Sequence, residues 1–533
     1  MKRSSNSNLP TYCSVPRFHN WIGVHKFTTD PVYPLWWKTT EVYRVQLPFN
    51  EIKALKELKI DQRFDITIVI PRLKSFSAKD LKNILQKPEN VYNNSLASNY
   101  VWSVRNYFEE ELNVLKNTKS ISELDKALND MNIVESPGML WIYALENPNF
   151  FHDSQHKYRI GHNRIIFVEH LNDVEVFGQL CEQIAKNIVI KAENLKNTFG
   201  NLWNSKAKLL KPDKDQMRSV HATPGYDVTF TLIQAESRVS WDIIDGINDY
   251  LKPFLDKLSL FAEFNIKSQV FYFKKLNVQP DFDSDRKHYI LNPDQLPHVI
   301  NPVEELLGSH VSVNPNLNFL IYIPPKSESP LLIYEEGKPS STNAFLSPQW
   351  GGFLIYNVNG TETDLDMAYI MSVFVTQLRQ LIGLPNVPPE GLPVDSSALS
   401  SWELDYLLRK RTLQNLAISI NSLNSLAQLL HEIRNIVIND DVGERVYESV
   451  KAVQSSVEFL QRGDLKSAFI QSKISFIASE KAFFDPSMLE LLYFPDDQKY
   501  AIYIPLFLPV SIPILTSSLA ILKSWKKEKQ KME

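Results

Sequence analysis

His152, Asp153, His156, His162 and His170 form the densest gathering of metal-ligating side chains in the sequence. His152 and His156 stand four residues apart, a spacing that sets two imidazoles on one helix face, where zinc could be held. The neighbouring residues argue against it. Asn147-Pro148-Asn149-Phe150 reads as loop and His170 closes a strand, so surface or loop histidines are the expected reading. Thiol chemistry is sparser still. Cys13 and Cys181 are the only cysteines, neither lies in a C-x-x-C, and together they could close one disulfide at most. Cys181 ends the helix-like run Val176-Phe177-Gly178-Gln179-Leu180-Cys181, where a thiol packs as a small hydrophobe. His431-Glu432 begins a zincin-like motif whose fifth position is Asn435 instead of histidine. G-x-S-x-G, G-x-G-x-x-G and G-x-x-x-x-G-K-[ST] do not occur. The acidic pairs Asp440-Asp441 and Asp496-Asp497 read as helix-start and interfacial charges. No catalytic constellation, cofactor loop or metal set is expected.

Two acceptor triplets for N-glycosylation remain, Asn93-Asn94-Ser95 and Asn359-Gly360-Thr361. Asn359 follows a strand-like run and precedes a helical one, so it is expected in an exposed turn. Nucleic acid is not an expected partner. With 57 basic and 61 acidic residues the net charge is −4, and no dense basic stretch appears before the last eleven residues. Only 16 glycines stand beside 31 prolines, which disfavours glycine-rich nucleotide loops. Apolar residues make up 44% and charged residues 22%, so the chain should bury a real core.

From Tyr500 to Leu522 no residue is charged. As a helix this run would span about 35 Å, enough for a hydrocarbon core of roughly 30 Å with some tilt. Lys523, Lys526, Lys527, Lys529 and Lys531 follow it, which places residues 523–533 in the cytosol as a basic tail. Pro505, Pro509 and Pro513 recur at four-residue steps and so share one helix face. That face is expected to pack against other helices, with Phe507 and Leu515 turned toward lipid. Residues 1–33 are polar and carry neither an apolar signal segment nor a spanning run. Read from residues alone, one C-terminal anchor would leave nearly all of the chain in the cytosol.

The elements expected between the ends alternate. Strand-like runs are Val42–Leu47, Phe64–Ile70, Met139–Ala144, Arg164–Val168, Tyr226–Leu232, Gln269–Phe273, Phe319–Ile323, Leu331–Tyr334 and Phe353–Val358. Helix-length stretches are Asn99–Leu115, Val174–Ala192, Trp241–Phe261 and Leu365–Ile382, the last stopped by Gly383 and Pro385. This pattern predicts an α/β fold over residues 34–384, a large mostly parallel sheet covered by helices on both faces. Residues 385–401, rich in proline and serine, read as a linker. Residues 402–495 lose the strand signal. Leu416, Ile420, Leu423, Leu426, Leu430 and Ile433 recur at helical spacing, as do Val446, Val450, Val453, Val457 and Leu460 up to Gly463. Leu465, Phe469, Ile474 and Ile477 suggest a third stripe, so a helical hairpin or three-helix bundle is expected before the membrane helix of residues 500–522.

Several blocks carry a resemblance. Pro34-Leu35-Trp36-Trp37-Lys38-Thr39-Thr40-Glu41-Val42-Tyr43-Arg44 comes first. Leu296-Pro297-His298-Val299-Ile300-Asn301-Pro302, Asn343-Ala344-Phe345, Ser347-Pro348 and Trp350-Gly351-Gly352 follow. Last come Phe483-Phe484-Asp485-Pro486 and the run from Leu492-Tyr493-Phe494-Pro495-Asp496-Asp497-Gln498-Lys499 into Ala501–Pro509. In this order the chain resembles the PIG-S family, a subunit of the GPI-anchor transamidase. The resemblance implies an endoplasmic-reticulum complex that removes a C-terminal signal peptide from proproteins and attaches a preformed GPI lipid. It implies a non-catalytic subunit with a large lumenal α/β domain, membrane lipid as a contact, and PIG-K, PIG-T, PIG-U and the GPI attachment subunit as partners. The nucleophile belongs to PIG-K in that family, so no catalytic residue is carried over, and Asn359 would be lumenal. The sequence departs from the family just before Leu35, where the family has a membrane helix and this chain has polar residues. Two other readings stay open: a lumenal membrane-anchored hydrolase or transferase with an unrecognised site, and a cytosolic tail-anchored scaffold.

Overall fold

The computed structural model describes residues 45–72, 78–85, 91–92, 96–131, 137–146, 150–151, 157–169, 171, 173–189, 217–236, 239, 241–307, 312, 314–335, 337–358, 365–387, 391–393, 399–432, 438–486 and 496–532. The fold is mixed α/β with mostly parallel sheets, followed by C-terminal helices and one apolar helix. The strands divide between two main sheets. The first contains β1 (Ile60–Ile70), β2 (Val91–Tyr92), β3 (Leu96–Asn106), β4 (Met139–Leu145), β5 (Tyr158–Ile160), β6 (Ile165–Glu169) and β16 (Gly391–Pro393), in the order β16-β5-β6-β4-β1-β3-β2. Its centre, β3-β1-β4-β6, is parallel throughout.

Ile66, Ile68 and Ile70 of β1 pack on one face with Phe177, Cys181 and Ile184 of the helix Val174–Val189. Val69 points the other way, toward Trp141, Tyr143 and Phe167. Because strand side chains alternate, burial on both faces explains the unbroken apolar run. The expected helix Asn99–Leu115 is instead β3 and then a helix over Glu109–Asn117. Tyr100, Val101, Trp102 and Val104 are strand-favouring types, and pairing with β1 in continuous register overrides any helical periodicity. Of the expected strand Val42–Leu47, the described part, Val45–Leu47, is not strand. Residues 42–44 lie outside the described residues, and Val45 only donates one hydrogen bond to the Ile438 carbonyl before Pro48 opens a helix.

The second sheet holds β7 (Gly225–Gln234), β8 (Glu263–Tyr272), β11 (Asn316–Ile323), β14 (Ala344–Ser347) and β15 (Gly351–Ile355), ordered β14-β15-β11-β7-β8. Four of these run parallel, and β14 pairs antiparallel with β15. A small sheet of β9 (Asp281–Asp283), β10 (His288–Leu291), β12 (Leu331–Glu335) and β13 (Lys338–Pro339) sits beside it. Val299 and Val303 of the helix Leu296–Leu307 cover one face of the second sheet. Ile370, Phe374 and Leu378 of the helix Met367–Ile382 cover the other. That helix ends where expected, on Gly383 at φ +81°, a left-handed position glycine adopts without steric cost.

The stretch 385–401 contributes β16, which pairs in parallel with β5 and returns the chain to the first sheet. Three helices follow: Ser401–Glu432, Asp440–Arg462 and Leu465–Phe483. The stripes Leu416–Leu430 and Val446–Leu460 are buried together as read from the sequence, and Gly463 ends the second helix in the left-handed region. Ile433 lies outside the described residues. In the third helix Leu465 and Phe469 are buried but Ile474 and Ile477 are only half-buried. The packed stripe continues instead through Ser472, Ser475, Ala478 and Ala482. Small side chains bring the backbones close enough for Ser449 Oγ to donate to the Ser475 carbonyl (3.0 Å) and Ser456 Oγ to the Ala468 carbonyl (2.8 Å).

Candidate functional site

Cys181 is fully buried, and burial, with some help from Glu182, pushes its thiol pKa far up. A thiol held protonated in a packed core is no nucleophile. His162 sits in the turn between β5 and β6, its N–H donating to Asp125 Oδ2 (2.8 Å) and its ring 3.4 Å from Lys257 Nζ. His152, Asp153, His156 and His170 lie outside the described residues, as do Cys13, Asn93 and Asn359. Among the described residues no three His, Cys, Asp or Glu side chains converge as a metal site would require.

What the sequence does not announce is a set of buried charges in the first turns of the helix Ser401–Glu432. Asp405 accepts two bonds from the Arg164 guanidinium (2.6 and 3.0 Å) and one from the Gly138 N–H (2.9 Å). Arg409 donates to the Arg63 and Gly138 carbonyls, both at 3.1 Å, with its guanidinium carbon 4.1 Å above the Phe64 ring. Burial pulls its pKa down to about 10, opposed by Asp405. These contacts hold the first sheet. Arg411 donates to the Val220 and Ile382 carbonyls, and Glu403 pairs with Arg379, all on the side of the second sheet. One helix therefore clips both sheets together. The only sequence signal is five charges, Glu403, Asp405, Arg409, Lys410 and Arg411, in a segment otherwise rich in leucine and aromatics.

The blocks Leu296–Pro302 and Asn343–Gly352 meet at a groove of about 880 Å³. Its floor is β14, and its walls are the helices Leu296–Leu307 and Met367–Ile382, which cover opposite faces of the second sheet. Asn343 fixes this corner: its Oδ1 accepts from the Ile333 N–H (2.8 Å), and its Nδ2 donates to the Leu331 and Ile355 carbonyls (3.0 and 2.9 Å). Gln377 lies across the sheet and donates to the Phe345 carbonyl (3.1 Å). A Cβ on Gly352 would come within 1.8 Å of Gln377 Oε1, so only glycine admits the glutamine there.

The helix Asp496–Met532 contains the apolar segment Tyr503–Lys526, mean hydropathy 1.9, none of it buried against the rest of the chain. It is the one described helix long and apolar enough to cross a membrane. Pro505, Pro509 and Pro513 lie within it. Each lacks an N–H, so the carbonyls of Ala501, Pro505 and Pro509 lose their helical donors on one face. Ser511, Thr516, Ser517 and Ser518 donate to the carbonyls of Leu508, Pro513, Pro513 and Ile514, and leave those three carbonyls open.

The sequence profile of the family described as "PIG-S: Phosphatidylinositol-glycan biosynthesis class S protein" matches residues 32–528. The chain is 40% identical to "GPI-anchor transamidase component PIGS" of Rattus norvegicus, and 39% identical to the protein of the same description from Homo sapiens. Each alignment covers 93% of both chains. It is 25% identical to "GPI transamidase component GPI17" of Saccharomyces cerevisiae, over 99% of this chain and 94% of that one.

Proposed function

The chain belongs to the PIG-S family, and from that membership we propose that it is a component of GPI-anchor transamidase that makes and breaks no bonds itself. The observation that carries the reading is likeness over nearly the whole length of relatives described as transamidase components. Cys181 supports the non-catalytic part, since its thiol is buried and held protonated. The partners are PIG-K, PIG-T, PIG-U and the GPI attachment subunit. The helix Asp496–Met532 anchors the chain in the endoplasmic-reticulum membrane, with the α/β body in the lumen and the lysine-rich end in the cytosol.

Purifying the tagged full chain in mild detergent tests the assembly: the other transamidase subunits should co-purify. In cells lacking their own copy, Cys181→Ala should restore GPI attachment to the level of the unaltered chain. Loss of attachment with assembly intact would show that the subunit takes part in catalysis. Asn359→Gln should remove one glycosidase-sensitive shift, and Asn93→Gln tests the second acceptor. A chain that carries no glycan on Asn359 would contradict the lumenal placement.

A further inference from the structure

The edge of the second sheet at β14 is open in a particular way. Among the described residues β14 pairs only with β15, and it is the last strand in the order. The Ile355 N–H donates to the Asn343 carbonyl, which makes that pair, and by alternation Phe345 with Phe353, the hydrogen-bonded ones. Ala344 and Leu346 belong to the other pairs, so their N–H and C=O groups point outward, away from the sheet. On β15 the corresponding groups turn the opposite way, consistent with the Tyr356 N–H donating to the Tyr322 carbonyl of β11.

Those outward groups do not face open solvent on a bare edge. The helices Leu296–Leu307 and Met367–Ile382 overhang the last strand on its two faces and leave a slot one sheet thick between them. Another strand placed about 4.8 Å beyond β14 would fill this slot. Its side chains would alternate toward Leu296 and Ile300 on one wall and Val373 and Thr376 on the other. Of the described side chains lining the groove only Arg218 and Glu335 are charged; the rest are hydroxyl, amide or apolar.

We propose that this slot receives an extended, uncharged segment of another subunit of the complex, added as a strand to the outer edge of β14. Backbone pairing to Ala344 and Leu346 supplies two donors and two acceptors, and the walls, part apolar and part hydroxyl and amide, supply the rest of the affinity. The proposal rests on the reading of the chain as a component of a multi-subunit assembly. A subunit is the favoured occupant because the relatives over nearly the whole length are described as transamidase components, and the groove, with only two charged side chains among those described, suits an uncharged segment.

Hydrogen exchange on the purified complex and on the chain purified alone tests it. The Ala344 and Leu346 amides should exchange at least about 100-fold more slowly in the complex. A photo-crosslinker at Thr376, on the exposed wall, should join the chain to one other subunit in cells. Leu346→Pro removes the outward N–H together with the Leu346 side chain that packs on the second core, so it is read against Leu346→Ala, which loses the same packing but keeps the N–H. The proline variant should abolish that crosslink and the alanine variant should keep it. Equal exchange in both samples, or crosslinks to proprotein or to a second copy of this chain, would overturn the proposal. If other subunits co-purify while the two amides stay unprotected, the slot proposal alone falls. If none co-purifies, the assembly reading falls and the slot proposal with it.

Discussion

Arg164 grips Asp405 with two parallel hydrogen bonds, 2.6 Å from Nε and 3.0 Å from Nη2, across 241 residues of chain. Both side chains are largely buried, at 16% and 11% exposure, so the pair has little water to fall back on. Asp405 also accepts from the Gly138 N–H and faces the fully desolvated Arg409. Asp405→Asn should therefore destabilise the fold by about 2–4 kcal/mol, because two guanidiniums lose their anion at once. Protease resistance and thermal unfolding of the full chain measure this. A shift within error of the unaltered protein would mean that water replaces the pair without loss.

Glu111 governs the response to acid. Its side chain is fully buried, and burial alone would raise its pKa. Bonds from Arg105 (2.7 and 2.8 Å), the Phe108 N–H (2.8 Å) and Tyr143 Oη (2.8 Å) outweigh that and hold it below the ordinary 4.5. A depressed carboxylate contributes stability that is complete above the unfolded value and drains away as pH falls toward the folded one. Glu111→Gln should be less stable at neutral pH by about 1–3 kcal/mol, and should lose less on acidification from about pH 5 to 3. Parallel denaturation curves for both proteins across that window would contradict the assignment.

The proline face of the apolar helix Asp496–Met532 is expected to meet neighbouring helices, which can supply donors or bound water to the three freed carbonyls. Cysteines placed singly along Leu506–Thr516 should crosslink to partner subunits mainly beside Pro505, Pro509 and Pro513. Positions next to Phe507 and Leu515 should crosslink weakly. A flat profile, or one centred on Phe507, would mean that the span stands alone in lipid.

Much of this molecule was legible in its residues because burial leaves a period. Val446, Val450, Val453, Val457 and Leu460 could only be one face of a helix, and Ile66 to Ile70 only a strand covered on both sides. Length and charge alone set apart the one described helix able to cross a membrane. What escaped were features made by partners distant in sequence. Nothing local says that β7, β8, β11 and β15 leave the first sheet to form their own, or that Gly391–Pro393 rejoins it. The strand β3 was hidden because Tyr100 and Trp102 suit either state until β1 lies alongside. Glu403, Asp405, Arg409 and Arg411 resemble an ordinary solvated helix start, and only the two sheets packed around them make them interior. The slot at β14 depends on register, which no spacing records.

The return of the chain to its first sheet has a consequence in time. At roughly 5–20 residues per second of synthesis, Arg164 waits on the order of 10–50 s for Asp405 to emerge. Through that interval β5 has an unpaired edge and the Arg63 and Gly138 carbonyls have no guanidinium. The nascent first half is thus committed to a long vulnerable stage while the entire second sheet is being made. Its completion is a late, high-contact-order event, set by the ribosome's pace rather than by the speed of local folding.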